Sequence, residues 1–118
     1  MTYVSPWLVV IGLLVGGVTV WHGTTHAADG ESGKGRALYE KLCVACHGMQ
    51  GKGDGPTGKV LVPPPADFTS AASKKKPAAE LQRIIEQGKP GTAMIVWKGQ
   101  LSSNDITDIV AYLGSLRK

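Results

Sequence analysis

The chain has 118 residues, which leaves room for one domain with a short leader. Its 13 lysines and arginines exceed its 9 aspartates and glutamates, giving a formal net charge of +4. Nucleic-acid binding is excluded as a function, because no aromatic side chains are interleaved with the basic residues to form a stacking platform.

No charged side chain lies in residues 1–28, which form an apolar leader. As a signal peptide, this leader ends in small residues that allow cleavage after Ala27 or Ala28. As a retained membrane anchor, residues 4–21 would form a helix about 27 Å long. Both alternatives export the domain of residues 29–118, to the periplasm or to the outer face of the cytoplasmic membrane.

The first predicted helix covers residues 33–46. Its apolar side chains fall at i, i+1 and i+4 and therefore share one helical face, namely Leu38, Tyr39 and Leu42. The end of this helix contains both cysteines of the chain, followed by a histidine, so the segment that carries the chemistry is predicted to be helical.

The two cysteines lie in the segment Cys43-Val44-Ala45-Cys46-His47, which has the C-x-x-C-H pattern of c-type haem attachment. In a helical turn both thiols lie on one face, where each can reach one vinyl group at the edge of a porphyrin. The imidazole of His47 follows directly and can ligate the iron. The sequence therefore predicts one haem c, bound covalently through Cys43 and Cys46.

Other uses of paired cysteines fit the sequence less well. A redox-active dithiol is expected to follow a strand in a β-α-β unit, and no such pattern is present. A structural zinc site needs four ligands, but the domain offers no third cysteine and no second histidine beyond the leader. A disulfide between residues three apart closes a very small loop and stabilises little.

Residues 48–77 are rich in glycine and proline and predict a loop. Within this loop, residues 53–59 match most of a phosphate-binding loop, G-x-x-x-x-G-K-[ST]. Val60 stands where a serine or threonine would bind magnesium, and no strand precedes the segment, so we reject that interpretation. We expect these glycines to let the backbone wrap the edge of the haem.

The second predicted helix covers residues 78–87. Pro77 before it and Gly88 after it are typical helix boundaries. Its buried face is predicted from apolar residues at i, i+3 and i+4, namely Leu81, Ile84 and Ile85.

The third predicted helix covers residues 103–116. Ser102 is a natural N-cap, and Asp105 lies near the positive end of the helix dipole. Arg117 and Lys118 follow the helix, where we expect their charge to suit its negative end. The apolar stripe consists of Ile106, Ile109, Val110 and Leu113.

From about residue 33 to residue 116 the chain resembles the class I mono-haem cytochromes c. The resemblance rests on C-x-x-C-H and on four further segments in the expected order, residues 35–39, 61–68, 88–94 and 101–113. It implies a small all-α class I cytochrome c fold, in which three main helices wrap around one covalent haem. It also implies a near-perpendicular crossing of the first and third helices, where Gly35 permits a close approach to Tyr112.

The sixth iron ligand is predicted to be Met94. The domain contains two methionines. Met49 lies two residues after His47, on the proximal side of the haem, whereas Met94 follows a Pro-Gly turn and can approach the opposite face. Met is a common sixth ligand because it raises the reduction potential. This chain departs from many related chains in having Ile95, rather than proline, after the methionine.

The second ring nitrogen of His47 should donate to a backbone carbonyl, which fixes the tautomer of the imidazole. Proline carbonyls are plausible acceptors. The resemblance points to residues 63–65, and Pro56 is the alternative.

These features predict electron transfer by a His/Met-ligated haem c, without catalysis of a bond-making reaction. The partners would be redox proteins with an acidic docking face, because seven lysines could form a positive rim, namely Lys52, Lys59, Lys74, Lys75, Lys76, Lys89 and Lys98. One alternative is an electron-relay subunit of a larger dehydrogenase or oxidase. Another is a five-coordinate haem enzyme or gas-binding protein, which would need a vacant distal site.

Overall fold

The computed structural model describes residues 30–118, so the predicted signal peptide or anchor lies outside the described residues. The described part contains five α-helices and one short 3-10 helix, without a named strand. They are α1 (Ser32–Leu42), α2 (Val44–His47), the 3-10 helix (Gly58–Val60), α3 (Ala71–Lys74), α4 (Ala78–Gln87) and α5 (Ser103–Leu116). The all-α prediction is confirmed. Within residues 30–118, no helix combines the length and apolarity that crossing a membrane requires.

Helices α1 and α5 pack closely where α1 carries a glycine. A β-carbon at Gly35 would overlap the backbone carbonyl of Asp108 in α5. The predicted close approach is therefore present, but the glycine meets Asp108, one turn before Tyr112. Tyr112 instead packs against Tyr39, with ring centroids 5.2 Å apart and ring planes inclined at 60°.

One hydrophobic core joins α1, α4 and α5 to the loop that precedes α3. Its buried members are Tyr39, Phe68, Leu81, Ile85, Ile106, Ile109, Tyr112 and Leu113. The hydroxyl of Tyr39 donates a hydrogen bond of 2.7 Å to the carbonyl of Gly48. Burial is the main cause that raises the pKa of Tyr39 far above its ordinary value, so this hydroxyl keeps its hydrogen. The bond ties α1 to the residue that follows α2.

The first predicted helix is interrupted at Cys43, so the expectation of one helix over residues 33–46 was wrong. Cys43 has φ −113° and ψ −27°, and it ends α1 and begins α2. Its carbonyl accepts hydrogen bonds from the amides of Cys46 and His47, at 3.2 and 2.9 Å. The break lets the C-x-x-C-H turn form a short separate helix.

The bounds of α4 and α5 agree with the predictions. Pro77 is the N-cap of α4, and Gly88 ends it with φ +70°. Ser102 caps α5 in a reciprocal capping box with Asp105. The start of each helix and the end of α4 are thus set by local side-chain and backbone chemistry.

The Arg117 side chain, which follows α5, also contacts the carbonyl end of a second helix. The Arg117 guanidinium donates to the carbonyls of Ser73, Lys74 and Lys76, at and just after α3. The Lys74 ammonium donates to the Lys118 carbonyl at 3.0 Å. These bonds fasten the end of α5 to α3, because the carbonyl ends of two helices meet there.

Replacing the N-cap of α5 should destabilise the domain. Ser102→Ala removes the acceptor for the Asp105 amide, 3.1 Å away, and should cost about 1 kcal/mol of unfolding free energy. Hydrogen bonds from Ser102 and then Lys34 lower the pKa of Asp105. Because the pKa of Asp105 is lowered in the folded state, its ionised carboxylate stabilises the fold at pH values above the ordinary carboxyl pKa. This stabilisation is lost as the pH falls through the lowered pKa.

The advantage of the native protein over Ser102→Ala should therefore shrink below about pH 4. Urea unfolding at neutral and acidic pH measures this difference. Ser103→Ala is the matched control, because no hydrogen bond of its hydroxyl is found within residues 30–118. If Ser102→Ala and Ser103→Ala lowered the free energy of unfolding equally, the role of Ser102 as the N-cap would be contradicted.

Candidate functional site

The structure places the two cysteines in different surroundings. Both thiols are free and half-buried. Cys43 packs against the hydrophobic core, whereas Cys46 lines a cavity. Burial is the main cause that raises the pKa of Cys43 to about 11, with the neighbouring Cys46 as the second cause. Before a haem is attached, the Cys43 thiol is therefore protonated at neutral pH.

The glycine-rich segment of residues 53–58 packs on α2, and the lining of the cavity does not include it, so its place at the haem edge stays a prediction. Its amides donate to three carbonyls that a four-residue helix leaves unpaired, in the pairs Gly53 to His47, Gly55 to Cys46 and Thr57 to Ala45, at 2.9 to 3.2 Å. A β-carbon at Gly55 would overlap the carbonyls of Val44 and Ala45. The glycines thus let the backbone of residues 53–58 approach α2 closely enough for its amides to donate hydrogen bonds to the α2 carbonyls.

The imidazole of His47 is held from two sides. Its ring stacks on buried Phe68, with centroids 4.8 Å apart and ring planes inclined at 22°. Its Nδ1 lies 3.4 Å from the carbonyl oxygen of Ala66. Because a carbonyl oxygen can only accept, this contact requires the hydrogen on Nδ1 and leaves Nε2 free to ligate a metal.

The carbonyl that orients His47 belongs to Ala66, so the prediction of a proline acceptor was wrong by one residue. The preceding carbonyl, that of Pro65, is directed at Gly53 instead. Burial is the main cause that lowers the pKa of His47, and the Ala66 contact opposes it. The imidazole is therefore neutral at neutral pH, which is the form that binds iron.

A mostly apolar cavity of about 600 Å³ lies between α2, the proline-rich segment, α3, α4 and the loop of residues 88–94. Cys46, His47 and Met94 all line it. The Met94 amide donates to the Thr92 hydroxyl at 3.2 Å, and its carbonyl accepts from the Lys89 amide at 3.0 Å, which fixes this loop. Met49 is 55% exposed and does not line the cavity.

The donor set and the size of this cavity fit a haem. A neutral imidazole, a thioether and a thiol surround a space within the usual range for one organic cofactor. The structure thus gathers three of the four predicted site residues around one cavity, and it places Cys43 beside them at the start of α2.

Charged residues on the cavity wall were missed by the sequence predictions. Lys76, Arg83 and Lys89 line the cavity, together with Glu80, which pairs with Lys76 at 2.7 Å. Within residues 30–118, neither Arg83 nor Lys89 forms an ion pair. The spacing offered one signal for Arg83, because it lies three residues after Glu80 on α4 and therefore shares a helical face with it.

Comparison with known proteins identifies the family. The family model described as "Cytochrome C oxidase, cbb3-type, subunit III" matches residues 30–113. The chain belongs to this family of cytochromes c. The cofactor of this cytochrome c is therefore a covalently bound haem c with its iron, and its function is haem-based electron transfer, alone or within a larger complex.

Two curated relatives differ greatly in length. The chain is 36% identical over 103 residues to a Pseudomonas aeruginosa protein named dihydro-heme d1 dehydrogenase, covering 87% of this chain and 17% of the relative. It is 30% identical over 90 residues to cytochrome c-554(547) of Halothiobacillus neapolitanus, covering 75% of this chain and 99% of the relative. The chain thus spans about a sixth of the first relative and nearly all of the second.

A solved structure shows the same fold. A chain of the Kuenenia stuttgartiensis reducing HAO-like protein complex superposes with a TM-score of 0.64 at 29% identity, covering 71% of this chain and 41% of that one. The c-type cytochrome NirC superposes with a TM-score of 0.54 at 29% identity, covering 70% of this chain and 87% of that one. The predicted all-α cytochrome c fold is therefore confirmed.

Proposed function

We propose that this domain carries single electrons on one haem c that is attached through Cys43 and Cys46 and ligated by His47 and Met94. The observation that carries the proposal is the single cavity lined by an imidazole, a thioether and a thiol. When bound, the haem supplies reversible one-electron chemistry at its iron. If His47 and Met94 both held the iron, the protein would leave no position on it for a substrate, so we infer a carrier and not an enzyme.

The residues around the ligands support this role by fixing their positions. Phe68 and the Ala66 carbonyl hold the imidazole of His47 in one orientation and one tautomer. Thr92 and Lys89 hold the backbone on both sides of Met94. Ligands that keep their positions in both oxidation states reduce the structural change that accompanies electron transfer.

The charged wall of the cavity supports the binding of the two haem propionates. Arg83 and Lys89 line the cavity and have no acidic partner within residues 30–118. A carboxylate entering this mostly apolar space would therefore meet available cations, with which charged hydrogen bonds can form.

Export and an acidic protein partner remain part of the proposal. Two of the seven rim lysines are engaged locally, Lys74 with the Lys118 carbonyl and Lys76 with Glu80. Lys89 lines the cavity, where a propionate would meet it. The remaining four are exposed and available to steer a partner, namely Lys52, Lys59, Lys75 and Lys98. The second candidate function is that of an electron relay within a larger complex, favoured by the relatives of which this chain spans only 17% and 41%.

A redox titration of the purified holoprotein under carbon monoxide tests the proposed function. We expect one reversible one-electron step, a visible spectrum indifferent to carbon monoxide, and haem that stays with the protein in acidified acetone. If the spectrum shifted with carbon monoxide, the protein would be a gas-binding protein or a haem enzyme, and the proposal of an electron carrier would be wrong. If acidified acetone extracted the haem, the proposed thioether bonds would be contradicted.

A further inference from the structure

Helix α3 forms part of the cavity wall without contributing to the hydrophobic core. Its residues Ala72 and Ser73 line the cavity, together with the flanking Ser70 and Lys76. Within residues 30–118, no residue of α3 belongs to the buried core, and α3 packs against none of the other helices. Apolar packing therefore does little to hold this part of the wall in place.

Polar contacts from two directions hold the carbonyl end of α3 instead. Arg117, directly after α5, donates from Nη2 to three carbonyls, those of Ser73, Lys74 and Lys76. The Lys76 ammonium also pairs with the Glu80 carboxylate of α4 at 2.7 Å. Because the last carbonyls of a helix lack partners within it and carry partial negative charge, a cation is favoured at this place.

The Arg117 guanidinium is committed to these contacts. The residue is half-buried, and its Nε is enclosed without a hydrogen-bond partner within residues 30–118. No carboxylate in the same range forms an ion pair with it. A guanidinium in such a position has lost hydration, and the α3 carbonyls are the groups that compensate for this loss.

The segment that Arg117 holds also orients His47. This segment is residues 66–76, termed the wall segment. At its start, the Ala66 carbonyl and the Phe68 ring contact the imidazole. Only two residues separate Phe68 from the first residue of α3. The wall segment thus reaches from the predicted iron ligand to the contacts with Arg117.

We propose that Arg117 is a positioning residue for the haem site, which holds the wall segment closed against the cavity through α3. This inference rests on the proposed function, because it takes the cavity as the haem site. A closed wall keeps water out of the mostly apolar cavity, and exclusion of water from a haem site raises its reduction potential. When the Arg117 contacts are lost, we expect α3 to open more often, water to enter and the potential to fall.

Lys118 provides the matched control, because it separates the contacts of Arg117 from its charge. The Lys118 side chain is exposed, and no hydrogen bond or ion pair of its ammonium is found within residues 30–118. Lys118→Ala removes one positive charge beside Arg117 but keeps the backbone carbonyl that accepts from Lys74. An effect of charge would therefore appear in both variants, whereas the α3 contacts are lost only in Arg117→Ala.

The test measures amide hydrogen exchange by NMR, and the reduction potential, in the native holoprotein and the two variants. The amides of Lys74 and Lys76 report on α3, because each donates a hydrogen bond of 3.0 Å in the wall segment. Their exchange rates are divided by that of Ile109, in the buried part of α5, so that a general loss of stability cancels. In Arg117→Ala this ratio should rise about ten-fold and the potential should fall, while Lys118→Ala should keep both native values.

Three results would overturn the positioning role. One is an unchanged exchange ratio in Arg117→Ala. Another is a raised ratio at the native potential, which would leave Arg117 a purely structural part. The third is an equal fall of the potential in Lys118→Ala, which would show an effect of charge alone. A native holoprotein without a reversible one-electron step would refute the proposed function itself, and these three results in a protein that has this step refute the positioning role alone.

Discussion

Gly35→Ala should lower the free energy of unfolding by about 3 kcal/mol, the largest stability effect that we expect from one added methyl group. The new β-carbon would overlap the Asp108 carbonyl in α5, and neither backbone can yield by rotating a side chain. Relief requires α1 and α5 to separate. That separation would loosen the contact of Tyr39 with Tyr112 in the core.

Gly33→Ala is the matched control on the same helix. A β-carbon at Gly33 meets nothing within 4 Å. Because alanine is favoured over glycine in a helix by about 1 kcal/mol, this variant should be as stable as the native protein or more so. Urea unfolding of the holoproteins, followed by circular dichroism, measures both. Equal stability of the two variants would contradict the close crossing at Gly35.

Met94→Ala should convert the low-spin haem spectrum to a largely high-spin one and open the iron to carbon monoxide. Met94 is the methionine that lines the cavity, and alanine has no atom that can ligate iron. The reduction potential should fall, because thioether ligation raises it. The haem should stay covalently attached, since both cysteines are retained. Visible spectra with and without carbon monoxide, together with a redox titration, measure these changes.

Met49→Ala is the control for that variant. Met49 is mostly exposed and does not line the cavity, so its replacement should leave the spectrum and the potential unchanged. If Met94→Ala kept the native low-spin spectrum, another residue would have to be the sixth ligand. If Met49→Ala lost that spectrum, the assignment of the two methionines would be reversed.

Local signals were sufficient to predict the later helices. Pro77 and Gly88 bound α4, and Ser102 begins α5, because each acts through its own backbone or the nearest amides. The C-x-x-C-H segment was equally readable, since two thiols and an imidazole at that spacing have few other uses. Family membership then confirmed the haem c cofactor.

Features that depend on contacts between distant segments could not be predicted. The choice of Ala66 over a proline as the partner of His47 depends on how the proline-rich segment turns past Gly53. The bonds from Arg117 to the end of α3 join residues more than 40 positions apart, and nothing in the local sequence indicates them. Helix α3 has only four residues and no apolar stripe, so residues 48–77 were predicted as a loop; in the structure Ser70 caps this helix.

The helix break at Cys43 has a similar explanation. Apolar periodicity indicates which face of a helix is buried. It does not indicate the residue at which a backbone amide changes its hydrogen-bond acceptor and the helix is interrupted. The glycines of residues 53–58 were assigned to the haem edge because glycine allows a close approach of the backbone. The sequence does not indicate which part of the molecule is approached. In the structure they meet the carbonyls of α2.

The central claim, ligation of one haem by His47 and Met94, is tested most directly by the visible and near-infrared spectrum of the purified protein in both oxidation states. We expect sharp low-spin bands after reduction and, in the ferric protein, the weak far-red charge-transfer band that marks iron–thioether bonding. A high-spin ferric spectrum without that band would contradict the assignment of Met94 and leave the sixth position open.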